Sequence, residues 1–248
     1  MTIVNDIINE MEVLFPYNLS ADWDVTQGLI IGDTSKIVSK AIVSLEFRDN
    51  IKDADTDMVI LHHPPIFGLK REITNPFYKS WEKGDVVVYA IHSRIDRSGF
   101  MSQAITEKLF KRVEYTDLKI LEDGTTVVNL GKQIDIDTLI KRIKDKLKLS
   151  AVNTIIKKHM VKRIAVHGGE AFQLHHISDA IKADIDLYIG GDMSHHLAER
   201  LYEFDASFID IGHFSEQEGM RKLGEVLQIR FPDVNFKYIE QPQLWITK

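Results

Sequence analysis

The runs at 37–45, 58–61 and 86–91 are dominated by apolar, largely β-branched residues and lack the polar alternation of a strand with one face in water. Strands of this kind bury both faces, which calls for a largely parallel sheet covered by helices. Helical periodicity lies between and around them. Ile3, Ile7, Ile8, Met11 and Leu14 share one face and predict a helix over 2–15 stopped by Pro16. Met101, Ala104, Ile105 and Leu109 repeat the pattern after the third run, with Ser98 as the expected N-cap.

The texture changes over 113–130, where Glu122-Asp123-Gly124-Thr125 reads as a turn ahead of a short strand at 126–130. A boundary there divides the chain into an N-terminal α/β domain, 1–124, and a C-terminal α/β domain, 125–248. Ile136, Leu139, Ile140, Ile143 and Leu147 predict a helix over 135–148 whose opposite, basic face is solvated. Further strands are expected at 163–167, 185–189 and 207–211. The fold class is therefore α/β, with two similar domains built on mostly parallel sheets. Residue identity between the halves is low, so the likeness is architectural and not a sequence repeat.

Metal-ligating residue types stand at the ends of these runs. Ligands of open parallel sheets bind beyond the carboxyl ends of the strands, so a metal site in the cleft between the domains is expected. His62-His63-Pro64-Pro65 follows the second run. Adjacent residues of an extended strand face opposite ways, so the pair serves one metal if the chain turns and two if both face a shared cavity. As a bare sheet end, one imidazole would bond backbone and the other would be solvated. His92 closes the third run with Asp96 four residues on; Asp96 joins it if the chain coils, or else pairs with Arg94 or Arg97 or serves the helix dipole. His92 is equally suited to orienting another ligand.

His213 and Glu216 end the 207–211 run. Ser215 with Glu218 matches a capping box, which makes Glu218 structural and puts Glu216 at the first helical position. A carboxylate there can bridge two cations and offset their repulsion. His195 and His196 follow Gly190-Gly191 at the start of another expected helix, as outer ligands, proton donors or caps. His175-His176 falls within a helix that includes Phe172, Ile177 and Ile181 and is assigned to surface or core. His159 and His167 have no partner pattern.

Composition narrows the chemistry. The chain of 248 residues has no Cys, so disulfides, thiolate sites and a cysteine nucleophile are excluded, and any metal must be held by His, Asp and Glu. A formal charge of -6 lacks the basic footprint of a general nucleic-acid binder. No apolar stretch approaches the roughly 20 residues of a membrane span, and the N-terminus lacks a basic, apolar leader, so the cytoplasm is the expected location.

Taken in order, Asp22-Trp23-Asp24 with Gly28-Leu29 and Gly32-Asp33, His62-His63-Pro64, His92 through Asp96, Gly191 through His196, and Gly212-His213 through Glu216 make the chain resemble the Nif-three-like family, also called the GTP cyclohydrolase I type 2 family. The resemblance implies two divalent cations held by His62, His63, Asp96, His213 and Glu216, and a ring-like homohexamer. The chain departs from the family pattern at Trp23-Asp24-Val25-Thr26-Gln27-Gly28-Leu29, one residue longer and without the usual Asn, and after the first strand of the second half, where the usual glycine-rich turn reads Gly168-Gly169-Glu170-Ala171. The Asn common after Asp96 is also missing, and His213 and Glu216 are three apart where many relatives have four.

The expected activity is dinuclear metal-dependent hydrolysis of a small anionic, nucleotide-like substrate, with His92, His195 and His196 as proton-transfer candidates. Lys70, Arg71 or Arg94 would meet a phosphate or else stand as solvated surface charges. His with carboxylate ligands admits zinc, manganese, iron(II), nickel or cobalt. The alternative is a non-enzymatic metal-binding scaffold or metal chaperone that engages protein partners, since fold does not settle function.

Overall fold

The computed structural model describes residues 1–52, 54–65 and 86–243. They form two compact units, one from Met1–Ile95 with Met220–Pro242 and the other from Asp96–Gly219 with Gln243. This partition is discontinuous in sequence and differs from a single division at 124/125. The reason is strand pairing and packing. The last strand, Asn235–Ile239, lies parallel to Lys40–Ser44 in the first unit, while Ser102, in the helix Phe100–Leu109, accepts a hydrogen bond from the Gly168 amide in the second.

The first unit holds a five-stranded sheet in the order β1-β4-β3-β2-β11: β1 Gly28–Ile31, β2 Lys40–Ser44, β3 Met58–Leu61, β4 Val87–Ala90 and β11 Asn235–Ile239. The three apolar runs are its centre, mutually parallel, with every residue of β3 and β4 buried. Ile42, Phe47, Ile51, Val59, Leu61 and Val88 form one core layer. Each fully buried aliphatic side chain of this kind contributes roughly 1.5–3 kcal/mol. The helix Val4–Leu14 buries Ile7, Ile8 and Met11 of the expected face together with Val4, while Ile3, its N-cap, and Leu14 are only partly buried.

The second unit holds six strands in the order β5-β6-β8-β9-β10-β7: β5 Tyr115–Ile120, β6 Thr126–Asp135, β7 Asn153–Ile155, β8 Met160–Val166, β9 Leu187–Gly190 and β10 Ser207–Asp210. Its centre, β8-β9-β10, is again parallel, while the pairings outward from it are antiparallel. The turn expected at 122–125 joins β5 to β6. The helix Ile136–Leu147 is capped by the Asp135 side chain on the Thr138 amide and ends at Lys148 in the left-handed region.

One device recurs in both units. Asp57, just ahead of β3, accepts the Ser39 and Lys40 amides at 2.8 and 3.0 Å and gives its own carbonyl to Val87. Asp186, just ahead of β9, accepts the Lys162 and Arg163 amides at 2.9 and 3.0 Å and gives its carbonyl to Ser207. An acid at the same point of each ladder thus ties the starts of three parallel strands together. Among the described residues no helix is long and apolar enough to cross a membrane.

Candidate metal centre

In the first unit, β3 and β4 deliver three imidazoles to one place. His62 and His63 follow β3, His92 follows β4, and all three are buried. Ring centroids are 4.4 Å apart for His62 and His63, and 5.5 Å for each of them to His92. His62 Nδ1 lies 3.1 Å from His63 Nε2. The His62 and His63 amides bond the Ser44 and Leu45 carbonyls, and the His92 amide bonds the His62 carbonyl, so ladder bonding continues past the strand ends and fixes the backbone below the rings. His92 has φ 37°, a conformation rare for a residue with a side chain and held only where its surroundings enforce it.

Two carboxylates flank this trio. Asp24 lies 2.9 Å from His92 Nδ1 and also accepts the Ser93 amide and hydroxyl at 3.1 and 2.5 Å. Burial raises the Asp24 pKa, but the hydrogen bonds from His92 and Ser93 outweigh it, leaving the carboxyl below its ordinary value. Glu46 lies 3.6 Å from His63 Nδ1, and its interaction with His63, followed by that with Arg48, pulls it down to about 2 against the effect of burial. Trp23, largely exposed, packs against His92 in a T-shaped arrangement with ring centroids 5.4 Å apart.

In the second unit, β9 and β10 end in a different cluster. Gly212, with φ 72° and ψ 162°, holds a conformation essentially confined to glycine and swings the chain into the short turn His213–Glu216. His213 Nδ1 stands 3.0 Å from Asp192, and its Nε2 stands 3.8 Å from Glu216, whose side chain is only 3% exposed. Asp192, His213 and Glu216 each offer a ligand atom within 4.8 Å of the others. A cavity of about 300 Å³ adjoins them, lined by Asn153, Asp192, Asp210, His213 and Phe214 among others. Asp96 belongs to the helix Ser93–Arg97, and Gly169 gives it room: a Cβ there would lie 2.8 Å from the Asp96 carboxyl carbon.

The remaining expectations fare differently. His195 and His196 begin the helix His195–Leu201 in exposed positions; Ser194 caps it through the Leu197 amide, and His195 faces Glu199 at 3.5 Å. Arg94 is no phosphate contact, because it is fully buried and committed to Gln27, the Phe15 carbonyl and the Tyr89 hydroxyl. Lys70 and Arg71 lie outside the described residues. Ser98 is not the N-cap of its helix; Gly99 is, and the Ser98 hydroxyl accepts the Phe100 amide from one position earlier. Ser215 does not directly precede the helix Gln217–Arg230 either. Ser215 donates to the Gly212 carbonyl within a 3-10 turn that includes Glu216, and Glu218 pairs with Lys108 at 3.3 Å. Glu218 thus lies in the first turn of the helix Gln217–Arg230.

Asp24, Glu46 and Asp192 were missed as members of these clusters. Asp24 belongs to the Asp22-Trp23-Asp24 motif and Asp192 directly follows Gly190-Gly191, so position past a buried strand is the available signal for Asp192. His167 has no partner pattern in the sequence and His176 reads as surface or core, yet both meet Asp123. Their separation in sequence concealed this.

The chain matches the model of the family described as Duf34/NIF3 (NGG1p interacting factor 3) over residues 2–243. It is similar to the GTP cyclohydrolase 1 type 2 homolog of Clostridium perfringens, 28% identical over 94% of each chain. It is also similar to the GTP cyclohydrolase 1 type 2 of Helicobacter pylori, 24% identical over 88% of each. The fold is that of the Bacillus cereus protein related to NIF3, with a TM-score of 0.86 at 16% identity over 100% of this chain and 99% of that one. With a family match across nearly the full length and strand-end histidines in the motifs that suggested it, this chain belongs to the Duf34/NIF3 family.

Proposed function

We propose that the protein holds two divalent cations through His62, His63, Asp96, His213 and Glu216 and uses them to hydrolyse a small anionic, nucleotide-like substrate. The observation that carries this reading is the buried trio His62, His63 and His92. Three imidazoles packed with ring centroids 4.4 to 5.5 Å apart are a poor apolar core and a good neutral donor set. Asp24 on His92 Nδ1 supplies the carboxylate that orients a working imidazole. Asp192 does the same for His213. Bound cations would supply Lewis acidity and acidify water toward neutral pH.

The chain's own residues provide the rest. Glu216, nearly sealed from solvent, keeps its carboxylate beside His213. His92 is held in one orientation for proton transfer, while the exposed His195 and His196 exchange protons with water. The cavity beside His213 has the volume of a small-molecule site. Relatives named GTP cyclohydrolase 1 type 2 support a purine nucleotide as the first substrate to try.

Native mass spectrometry of the full chain is expected to show a six-chain ring with about two divalent cations per chain. Turnover of GTP, other nucleotides or phosphodiesters should then be abolished by His213→Ala. Protein that purifies and reconstitutes without metal sinks the reading. Metal binding with no turnover in that screen favours instead a metal-binding scaffold that engages proteins, to which the family's description as an interacting factor lends support.

A further inference from the structure

The geometry points to a second divalent-cation site, formed by Asp123, His167 and His176 within the second unit and suited to a borderline cation such as zinc. Three elements bring it together. Asp123 lies in the turn between β5 and β6, His167 is the residue after β8, and His176 belongs to the helix Leu174–Lys182. Asp123 Oδ2 stands 2.7 Å from His176 Nδ1 and 4.0 Å from His167 Nδ1. All three offer ligand atoms within 4.8 Å of one another. Tetrahedral zinc with bonds of about 2.0–2.2 Å separates its ligand atoms by about 3.3 Å, a spacing that the two observed distances bracket.

The surroundings fit a ligand set. The Asp123 carboxylate is fixed by the Thr125 amide and hydroxyl, both at 2.9 Å. Thr125 Oγ1 also lies 2.8 Å from His167 Nδ1. The His167 and His176 rings lie 4.2 Å apart at 34°, so their nitrogens flank the same carboxylate. Burial and the neighbouring His176 lower the His167 pKa to about 4 against the pull of Asp123. Asp123 stays ionised, at about 2, because hydrogen bonds from His176 and Thr125 and the nearby His167 outweigh its burial. A cation has a way in, since the Asp123 and His176 side chains each remain 12% exposed. Exposed His175, its ring 3.9 Å from that of His176, stands beside the opening as a fourth donor, with water as the other choice.

Such a cation would staple the turn between β5 and β6 to the end of β8 and to the helix that follows β8. A network closed by hydrogen bonds alone is the competing account, and zinc distinguishes them. Chelator-stripped full-length protein is titrated with zinc, and bound metal is counted after gel filtration, for the wild type, Asp123→Asn and His176→Gln. His63→Ala serves as a parallel variant that leaves this cluster intact. The site is supported if Asp123→Asn and His176→Gln each remove one equivalent, or weaken one at least tenfold, while that equivalent persists in His63→Ala. Unchanged stoichiometry and affinity in both variants overturn it, whatever His63→Ala does. His176 is partly exposed, so His176→Gln keeps the test valid if Asp123→Asn misfolds, with far-UV circular dichroism as the check.

Discussion

The two units share a parallel three-strand centre and an aspartate clamp at its foot, yet they differ in what they set at the strand ends. In the first, three imidazoles are buried, with Asp24 almost wholly enclosed behind them; in the second, a partly exposed His213 is paired with a sealed Glu216 and an exposed Asp192. The scaffold is thus constant and the polar cargo varies. A buried imidazole depends on its protein partner for orientation, whereas an exposed one can find water instead.

That contrast can be broken at the orienting acids. Asp24→Asn is expected to lower turnover about 10- to 100-fold, the usual effect of removing a carboxylate that orients a functional histidine, whereas Asp192→Asn should cost less than about tenfold because water replaces it. Turnover of the two metal-loaded variants, measured side by side, decides this; equal losses would mean that burial is not what separates the units.

Next in size is the hinge of the second cluster. Gly212 has open space around its α-carbon, so Gly212→Ala tests conformation without a clash. Forcing a side chain into this region should cost about 1–3 kcal/mol, read from urea unfolding. A neutral result would show that the turn at His213 relaxes freely.

The smallest expected effect tests the likeness itself. Burial raises the pKa values of Asp57 and Asp186, but backbone amides from Ser39 and Lys40, and from Arg163 and Lys162 with Lys158, bring both below 3.8. A depressed acid means that the unfolded chain binds protons first on acidification. The stabilisation is therefore complete above the unfolded value and is lost as pH falls below about 4. Asp57→Asn and Asp186→Asn should each cost about 1 kcal/mol near neutral pH and flatten this acid limb of the melting temperature. Unequal effects would mean that the two clamps are alike in drawing only.

Much of this was legible in the chain. Continuous apolar runs identified β2, β3 and β4, and later β8, β9 and β10, because strands buried on both faces carry the strongest compositional mark. The strands β1, β5, β7 and β11 escaped notice because they flank those centres with mixed exposure, so their apolar patterns are broken. The caps misled for a related reason. Ser98 and Ser215 carry the right side chains, but Gly99 and the turn after Gly212 set where the helices begin. Arg94 looked like an anion contact and proved to be an internal strut, since sequence does not show that Gln27, Phe15 and Tyr89 surround it.

The sequence by itself determined the α/β character, the buried strands and the histidines at their ends, because these are written in local hydrophobic pattern and residue type. Tertiary structure alone decided which acid stands behind which imidazole. Asp24 reaches His92, and Asp123 reaches His167 and His176, across tens of residues of chain. Such pairings depend on where whole strands and helices dock, a consequence of burying many side chains together that no short motif encodes.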